Sequence, residues 1–268
     1  MGGHRPLRIL NPPAAIIEWP LPPGSPQLAG NEIHVWATSL AVEPAVLEKS
    51  GSTLAPDEKD RAQRFKFDLH RNRYIAGRGA LRAILAQYLP THAAQLRFDY
   101  LANGKPVLTE EFASAGIHFN LAHTGDLALA AITRIGPLGV DVECVRPVKD
   151  VDDLVARFFS PRENELFQKV PAAEKPAAFF NLWTRKEALL KATGEGITRS
   201  LRLVEVSFLP GEPARLLAIS GDAKAAEQWT LREFSPAKEF VGAVAIQAGT
   251  SNIQSGKSDL VVKCWQWK

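Results

Sequence analysis

The chain has 268 residues, of which 46% are hydrophobic and 23% charged, and this composition excludes an intrinsically disordered protein. At about 150 residues per domain, the length predicts one large domain or two small ones. The formal net charge is only +3. The two cysteines, Cys144 and Cys264, are too few for a disulfide framework and lack the spacing of a zinc site, so we expect a protein of a reducing cytosol.

Residues 1–30 are rich in proline and predict an irregular N-terminal arm. Because prolines interrupt every apolar run in this arm, we expect no signal peptide. Pro6 stands where a myristoylation motif requires Ser or Thr, and no later segment approaches the ~20 apolar residues of a membrane helix. These features predict a cytoplasmic protein with no membrane contact.

The first part of the chain predicts a strand, two helices and a pair of strands. Alternating residues indicate a strand over 33–37, and Pro56 is placed to open a helix that runs towards Arg64. A second helix is predicted from about His70 to Tyr88. The runs 117–121 and 127–132 predict paired strands on either side of a glycine turn.

The remainder of the chain predicts a similar succession. A strand is expected over 139–143, helices dominate 150–193, and strands return further on. A polar linker is expected over 249–258. The last residues, 260–267, predict a late strand that packs on the second half of the molecule.

A faint internal repeat indicates duplication. Ala55-Pro56-Asp57-Glu58 is echoed by Ser160-Pro161-Arg162-Glu163, where Ser160 and Glu163 form a capping box. Each copy leads into a second helix with basic residues and then into an Ala/Val-rich strand. We therefore predict an α+β fold of two similar halves, over 31–138 and 139–248, although helix starts of this kind also recur by chance.

Basic residues concentrate between Lys59 and Arg82. Eight of them face only two acidic residues there, namely Lys59, Arg61, Arg64, Lys66, Arg71, Arg73, Arg78 and Arg82 against Asp60 and Asp68. Such an excess attracts anions, and the simpler interpretation is a solvated helical face. A nucleic-acid-binding role for residues 59–82 is a third possibility, but no aromatic-stacking or helix-turn-helix motif accompanies it.

Two acidic motifs could supply metal ligands. Asp141 and Glu143 are two apart in a predicted strand, so both carboxylates lie on one face, where they are either solvated or bound to a hard cation such as Mg2+. Glu187 and Lys191 are four apart in a predicted helix, where they form a stabilising pair or place a third carboxylate beside a cation suited to phosphate.

His123 follows a short apolar strand in Phe119-Asn120-Leu121-Ala122-His123-Thr124-Gly125. A lone histidine of this kind is commonly structural. His118 and His123 are spaced unlike any usual pair of metal ligands, and no thiol joins them. We therefore do not predict a metal site at the two histidines.

The motifs follow one another in a distinctive order. A basic helical segment precedes a G-K-P turn, F-N-x-x-H-T, G-V-D-V-E and finally W-T-R-K-E-A-L-L-K-A-T-G. This set resembles the 4'-phosphopantetheinyl transferases of the surfactin-synthetase type, over about residues 54–197 and more faintly to about 248. The resemblance implies a monomer of two pseudo-symmetric α+β halves with the active site between them.

The resemblance also implies a reaction. Members of that family transfer 4'-phosphopantetheine from coenzyme A to a serine of an apo acyl or peptidyl carrier protein, with Mg2+ as cofactor, and release 3',5'-ADP. At the matching positions, Asp141, Glu143 and Glu187 would hold Mg2+. Glu187 would also be the candidate base for the carrier serine, and Lys191 would neutralise or protonate the leaving phosphate. A coenzyme A-binding pseudo-enzyme is the alternative within the same fold.

Coenzyme A would be bound by residues of the first half at matching positions. The candidates are Arg61, with Arg64 a weaker one, Lys105 of the G-K-P turn, and Asn120, Ala122 and His123 of the F-N-L-A-H-T segment. Many relatives carry serine where Ala122 stands. We expect a backbone amide or water to substitute for that hydroxyl, and expect Ala122→Ser to lower the KM for coenzyme A.

Overall fold

The structure is a computed structural model that describes residues 17–102, 104–194, 201–247 and 260–268. Most of the predicted arm, residues 1–16, and the linker predicted over 249–258 lie outside the described residues. The division of the chain at 138/139 stays a prediction.

The first half is one strand, three helices and then four strands. In chain order these are β1 (Glu32–Ser39), α1 (Pro44–Thr53), α2 (Pro56–Gln63), α3 (Asp68–Leu85), β2 (Phe98–Tyr100), β3 (Pro106–Leu108), β4 (His118–Thr124) and β5 (Leu127–Thr133). The second half repeats that order, with one short extra helix. Its elements are β6 (Leu138–Cys144), α4 (Val151–Phe158), α5 (Pro161–Gln168), α6 (Lys175–Thr193), β7 (Val204–Val206), β8 (Leu216–Ile219), α7 (Ala223–Ala226), β9 (Trp229–Phe234) and β10 (Phe240–Gln247).

The strand pairing is the same in both halves. In the first, β1 pairs antiparallel with β5, which pairs antiparallel with β4; in the second, β6 pairs with β10 and β10 with β9 in the same manner. Each half also holds a small two-stranded sheet, β2 with β3 and β7 with β8. The two α+β halves predicted from the repeat are therefore present.

The repeat is also present in the hydrogen bonds at the starts of helices α2 and α5. Ser160 Oγ accepts the N–H of Glu163 at 3.2 Å, and Glu163 Oε2 accepts the N–H of Ser160 at 3.0 Å, which is the predicted capping box. In the first half Glu58 accepts the N–H of Ala55 at 2.9 Å, although alanine has no oxygen to return the bond. Proline occupies the first turn of both helices.

Both of these glutamates lie in buried ion pairs with the following helix. Glu58 accepts from Arg82 Nε at 2.7 Å, and Glu163 accepts from Lys186 Nζ. Each cation also donates to the carbonyl of a short 3-10 turn, Arg82 to Ala93 and Lys186 to Leu201. A buried charge is tolerated only when it is paired and hydrogen-bonded in this way, so the two pairs fix the helices of each half.

The two sheets pack face to face, with a long helix on the outer face of each. Ile33 and Val35 of β1 meet Val140 and Val244 of the second sheet in the central core. Leu81, Ile84 and Leu85 of α3 cover Trp36 on the outer face of the first sheet. Helix α6 covers β10 in the same manner. Because strand residues alternate between faces, Asp141 and Glu143 lie on the α6 side of β6.

The last strand, β11 (Val261–Trp267), forms as predicted. The prediction that it packs on the second half is wrong, because it joins the first half. It pairs parallel with β1 of the first half, and Trp265 lies against Trp36 with ring centroids 5.1 Å apart. The physical reason is the open edge of β1, whose backbone groups and Trp36 this strand covers. The sequence pattern defines a strand but not which free edge it joins.

Helix α3 ends at Leu85, earlier than the predicted end near Tyr88. The Tyr88 side chain is drawn into the first sheet, where its hydroxyl accepts from Trp36 Nε1 at 2.8 Å and lies 2.9 Å from His34 Nδ1. These buried partners outweigh one further helical turn.

Candidate active site between the two halves

Asp141 of β6 lies in a nearly enclosed position. Asp141 is 6% exposed, and its Oδ1 accepts a hydrogen bond from Lys191 Nζ at 2.6 Å. Its Oδ2 is buried with no hydrogen-bond partner. An unpartnered buried carboxylate oxygen is costly unless a cation or donor joins it.

Glu143 lies two residues along the same face of β6. Its Oε2 accepts from Thr124 Oγ1 of β4 at 3.0 Å and lies 3.6 Å from a guanidinium nitrogen of Arg146. The contact with Thr124 joins the first half of the molecule to the second at the predicted site. Sequence reasoning did not single out Thr124, although it follows His123 in the motif.

Glu187 comes from α6, which lies directly against β6. At Gly139 a Cβ atom would be 2.1 Å from the carbonyl oxygen of Ala188, so only glycine permits this approach. Glu187 is 6% exposed, and its Oε1 is buried without a hydrogen-bond partner. The close packing therefore brings the third carboxylate beside Asp141, and Gly139 is a site residue that the sequence analysis named only as part of a motif.

Lys191 differs from the simplest expectation. The i, i+4 spacing predicts a pair with Glu187, but the ammonium forms an ion pair with Asp141. The salt bridge crosses from α6 to β6, and Lys191 therefore supplies positive charge to the carboxylate pair on the strand.

The pKa values of the three carboxyl groups are all raised. Burial raises the pKa of Asp141, although Lys191 opposes the change. Burial and the charge of Asp141 raise the pKa of Glu143. Burial, with the charges of Asp141 and Glu143, raises the pKa of Glu187 to about 7. Mutual repulsion of this kind is relieved when a cation binds.

The donor set fits a hard divalent cation. Three carboxylates supply oxygen ligands, and Asp141 Oδ2 and Glu187 Oε1 have no other partner. Within the described residues, however, no three acidic, histidine or cysteine side chains are gathered closely enough to form a finished metal site. The Lys191 ammonium holds Asp141 in this arrangement, so the chemistry of the ligands fits Mg2+ while their convergence is incomplete.

Strand β4 forms the opposite wall of the site. Asn120 is buried, and its Oδ1 accepts the N–H of Val140 at 2.8 Å, which ties β4 to β6. Ala122 is 4% exposed and packs in the central core. A serine hydroxyl at 122 would point into that core, so the structure does not support the expected gain from Ala122→Ser, and only the backbone of Ala122 remains a candidate contact.

His123 lies on the α3 side of β4 and is surrounded by positive charge. Burial and the charges of Lys191, Arg73 and His70 lower the pKa of His123. Arg73 itself donates from Nε to Asp126 at 2.7 Å. A phosphate placed here would meet a cationic environment, which is consistent with the predicted role of His123.

Arg61 borders a cavity of about 610 Å³ in the first half. The residues that line it include Arg61, Arg64, Tyr100 and Gly104. The Arg61 guanidinium lies over the Tyr74 ring, 5.5 Å from its centroid. Asp57 and Asp60 also line the cavity, so its two arginines are matched by two carboxylates, and a bound anion would have to lie on the arginine side. The cavity lies apart from Asp141, Glu143 and Glu187, which do not line it.

The basic stretch is divided. Lys59, Arg61, Arg64 and Lys66 are exposed, as expected for a solvated face, whereas the later arginines are not. Arg78 and Arg82 are buried against Glu58, and Arg73 pairs with Asp126. Arginines committed to internal ion pairs cannot contact a nucleic-acid backbone. Arg73, Arg78 and Arg82 are therefore excluded from the nucleic-acid interface considered over residues 59–82.

Lys105 is placed differently from the other predicted coenzyme A contacts. Its ammonium donates to the carbonyl oxygens of Leu138 at 2.9 Å and Lys191 at 2.6 Å. Burial lowers the pKa of Lys105 to about 8. The side chain thus points into the seam between the halves.

Comparison with known proteins identifies the family. The family model of the 4'-phosphopantetheinyl transferase superfamily matches residues 137–245, and that of the N-terminal domain of 4'-phosphopantetheinyl transferases matches residues 42–134. The chain belongs to the 4'-phosphopantetheinyl transferase superfamily. Its activity is the transfer of phosphopantetheine from coenzyme A to a carrier protein, as the motifs implied.

Individual relatives agree with this assignment. The 4'-phosphopantetheinyl transferase HetI of Nostoc sp. is 42% identical over 85% of this chain and 93% of its own length. The 4'-phosphopantetheinyl transferase Sfp of Bacillus subtilis is 27% identical over 58% of this chain and 66% of its own length. Among solved structures, the holo-[acyl-carrier-protein] synthase of Helicobacter pylori is 21% identical and covers 41% of this chain and 98% of its own, with a TM-score of 0.30, which is too low to carry an argument.

No helix in the described part of the chain combines the length and the hydropathy needed to cross a membrane.

Proposed function

We propose that this phosphopantetheinyl transferase is Mg2+-dependent and that its reaction takes place where β4, β6 and α6 meet. The observation that carries the proposal is the pair of unpartnered buried oxygens, Asp141 Oδ2 and Glu187 Oε1, beside the Lys191 ammonium. Asp141, Glu143 and Glu187 are the residues that would hold Mg2+. A bound Mg2+ supplies neutralisation of pyrophosphate charge and orientation of its oxygens.

Glu187 is the proposed base for the carrier serine. Before a cation binds, burial and the neighbouring carboxylates raise the pKa of Glu187 to about 7, and its buried Oε1 has no partner that would compete for a proton. In the transfer, the serine oxygen forms a bond to the phosphorus that bears pantetheine, and the bond from that phosphorus to the bridging oxygen breaks. The serine proton passes to Glu187, directly or through water.

Lys191 and His123 are proposed to act on phosphate oxygens. Lys191 neutralises or protonates the leaving 3',5'-ADP, because its ammonium already lies at the carboxylates. His123 and Arg61 contact the phosphates of coenzyme A. The positive charges near His123 and the cavity beside Arg61 support these two roles. Asn120 shapes the wall that carries His123.

The proposed partner is an apo acyl or peptidyl carrier protein, and the enzyme is proposed to act as a cytoplasmic monomer. The carrier could belong to fatty acid, polyketide or peptide synthesis. The packing of two complete halves in one chain supports a monomer, because the first half already supplies the β4 wall that the carboxylates face.

An intact-mass assay tests the proposal. The protein is mixed with coenzyme A, Mg2+ and a panel of apo carriers, and we expect one phosphopantetheine group on at least one carrier, lost when EDTA is added. Glu187→Gln should lower turnover by about 10²-fold or more because the base and a metal ligand are removed, with an unchanged circular dichroism spectrum. The matched control is Glu165→Gln, an exposed residue of α5.

The outcomes distinguish the proposed mechanism from its alternatives. Transfer that persists in EDTA contradicts the metal requirement, and near-wild-type turnover of Glu187→Gln removes Glu187 from the mechanism. Coenzyme A binding without transfer to any carrier would favour the pseudo-enzyme.

A further inference from the structure

The ammonium of Lys105 joins three elements that meet at the edge of the proposed site. Lys105 precedes β3 of the first half, and its Nζ donates to the carbonyl of Leu138 at 2.9 Å and to that of Lys191 at 2.6 Å. Leu138 begins β6, the strand that carries Asp141, and Lys191 lies in the last turn of α6. One side chain of the first half therefore touches both elements of the second half that carry the carboxylates.

The position at the end of α6 gives this contact particular strength. Helix α6 ends at Thr193, and Gly194 follows with φ 74°. The last four carbonyl groups of a helix have no partner within it, and the helix end carries partial negative charge. A cation at the carbonyl of Lys191 satisfies one of these groups and is favoured by the helix dipole.

The packing beside this contact leaves no room for a side chain on β6. At Gly139, next to Leu138, a Cβ atom would be 2.1 Å from the Ala188 carbonyl oxygen and 2.4 Å from the Ala192 amide nitrogen. Strand β6 and helix α6 thus touch through their backbones at the level where Lys105 joins them. A small shift of either element changes the separation of Asp141 and Glu187.

We infer that Lys105 is a positioning residue, whose ammonium holds β6 and α6 together across the seam and thereby aligns Asp141, Glu187 and Lys191, and that it is not a ligand of a coenzyme A phosphate. The inference rests on the proposed roles of those three residues. The turn that carries Lys105 also contributes Gly104 to the 610 Å³ cavity, so the same contact places the edge of that cavity.

The test compares Lys105→Met, Lys105→Arg and a control, Lys169→Met, which removes an exposed lysine of the second half paired only with Glu165. Methionine keeps the length of the side chain but not the charge, whereas arginine keeps the donors. Steady-state kinetics with coenzyme A and with dephospho-coenzyme A are measured per mole of folded protein, with the folded fraction determined by circular dichroism at the assay temperature.

We expect Lys105→Met to lower kcat by about tenfold, because displacement of reacting groups by a fraction of an ångström has effects of this order. The KM for coenzyme A should stay within about twofold of wild type, since uniform substrate binding is not removed. The preference for coenzyme A over dephospho-coenzyme A should not change. Lys105→Arg should recover part of the lost kcat, and Lys169→Met should match wild type.

Three results overturn the inference. A rise in the KM for coenzyme A that equals or exceeds the fall in kcat, or a selective loss of the preference for coenzyme A, makes Lys105 a phosphate ligand. Wild-type kinetics of Lys105→Met leave it no positioning role. The activity of wild type and of Lys169→Met in the same assay shows whether the transferase reaction itself is present, so failure of the proposed function is distinguished from failure of this inference. If Lys105→Met does not fold, Lys105→Arg is compared with wild type: a lower kcat at an unchanged KM for coenzyme A supports positioning, whereas an unchanged kcat contradicts it.

Discussion

At the scale of single residues, the site is a balance of charges in a poorly solvated position. Asp141 and Glu187 are buried, each has one oxygen without a partner, and Lys191 opposes the rise in pKa of both carboxyl groups without cancelling it. The pKa of Glu187 is about 7 as a result. Near neutral pH, binding of a proton or of a cation therefore decides the charge of Glu187.

Arg61 is expected to recognise the 3'-phosphate of coenzyme A. We predict that Arg61→Ala raises the KM for coenzyme A by about tenfold, since a charge-assisted hydrogen bond contributes ~1.5–3 kcal/mol. The KM for dephospho-coenzyme A, which lacks that phosphate, should change much less. Steady-state kinetics with both donors measure the difference.

The control for this variant is Arg162→Ala, an exposed arginine of α5 with only a 3.7 Å contact to Glu205. It should leave both KM values unchanged. Equal losses with the two donors would show that Arg61 contacts another part of coenzyme A or acts only on the shape of the cavity.

At the scale of elements, the distance between β6 and α6 determines the site. Gly139 permits the contact, and the buried pair of Glu163 and Lys186 fixes α6 from its other side. In W-T-R-K-E-A, Lys186 is therefore an internal anchor, whereas its neighbour Glu187 faces the site. Lys186 and Glu187 are neighbours in sequence and still serve different purposes, because successive helix positions point in different directions.

Gly139→Ala should separate these two elements. The added Cβ would meet the backbone of α6 at 2.1 Å, and backbone cannot rotate aside as a side chain can. We predict a loss of about 1–3 kcal/mol in the free energy of unfolding, as for other overpacked cores, together with a fall in kcat. Urea denaturation and the mass assay measure the two effects.

The matched control is Gly136→Ala, where the nearest atom, the Gln247 carbonyl oxygen, would be 3.7 Å away. This variant should keep wild-type stability and activity. A stable and fully active Gly139→Ala would mean that β6 and α6 have more freedom than their contact suggests.

At the scale of the whole molecule, the two similar halves differ at the positions that correspond to the carboxylates of the candidate site. The strand registers place Trp36 where the second half has Asp141, and Thr38 where it has Glu143. Ala83 follows Arg82 as Glu187 follows Lys186. The first half therefore contributes the β4 wall and the cavity, whereas the second half supplies Lys191. The equivalent face of the first half is filled by Trp36, Trp265 and α3.

The C-terminal strand is bound to this filled face through Glu32. Burial alone would raise the pKa of Glu32, but hydrogen bonds from Lys263 of β11 and from His34 lower it to about 2. A carboxyl with a depressed pKa stabilises the fold above its unfolded-state value near 4.5, and this contribution disappears as the pH falls towards 2.

We predict that Glu32→Gln is less stable than wild type at neutral pH and that the difference shrinks progressively below about pH 5. Urea denaturation at a series of pH values measures it. Glu48→Gln, an exposed change on α1, is the control and should follow wild type at every pH. A difference that stays constant down to pH 3 would contradict the ionic contribution of Glu32.

The sequence by itself determined the chemistry and the local structure. The placement of Asp141 and Glu143 on one strand face, the capping box at Ser160 and the repeated helix start all follow from short-range spacing, because the periods of helix and strand are fixed by the backbone. The family and its reaction were implied by the resemblance of the ordered motifs to known 4'-phosphopantetheinyl transferases, and this resemblance needs no knowledge of distances.

Only the tertiary structure decided which partners meet across the chain. It paired Lys191 with Asp141 rather than Glu187, turned Lys105 into the seam, buried Ala122 and part of the basic stretch, and placed β11 on the first half. These outcomes depend on which faces and free edges come together over long separations in sequence. Local patterns carry no information on that choice, since it is made by the packing of the whole core.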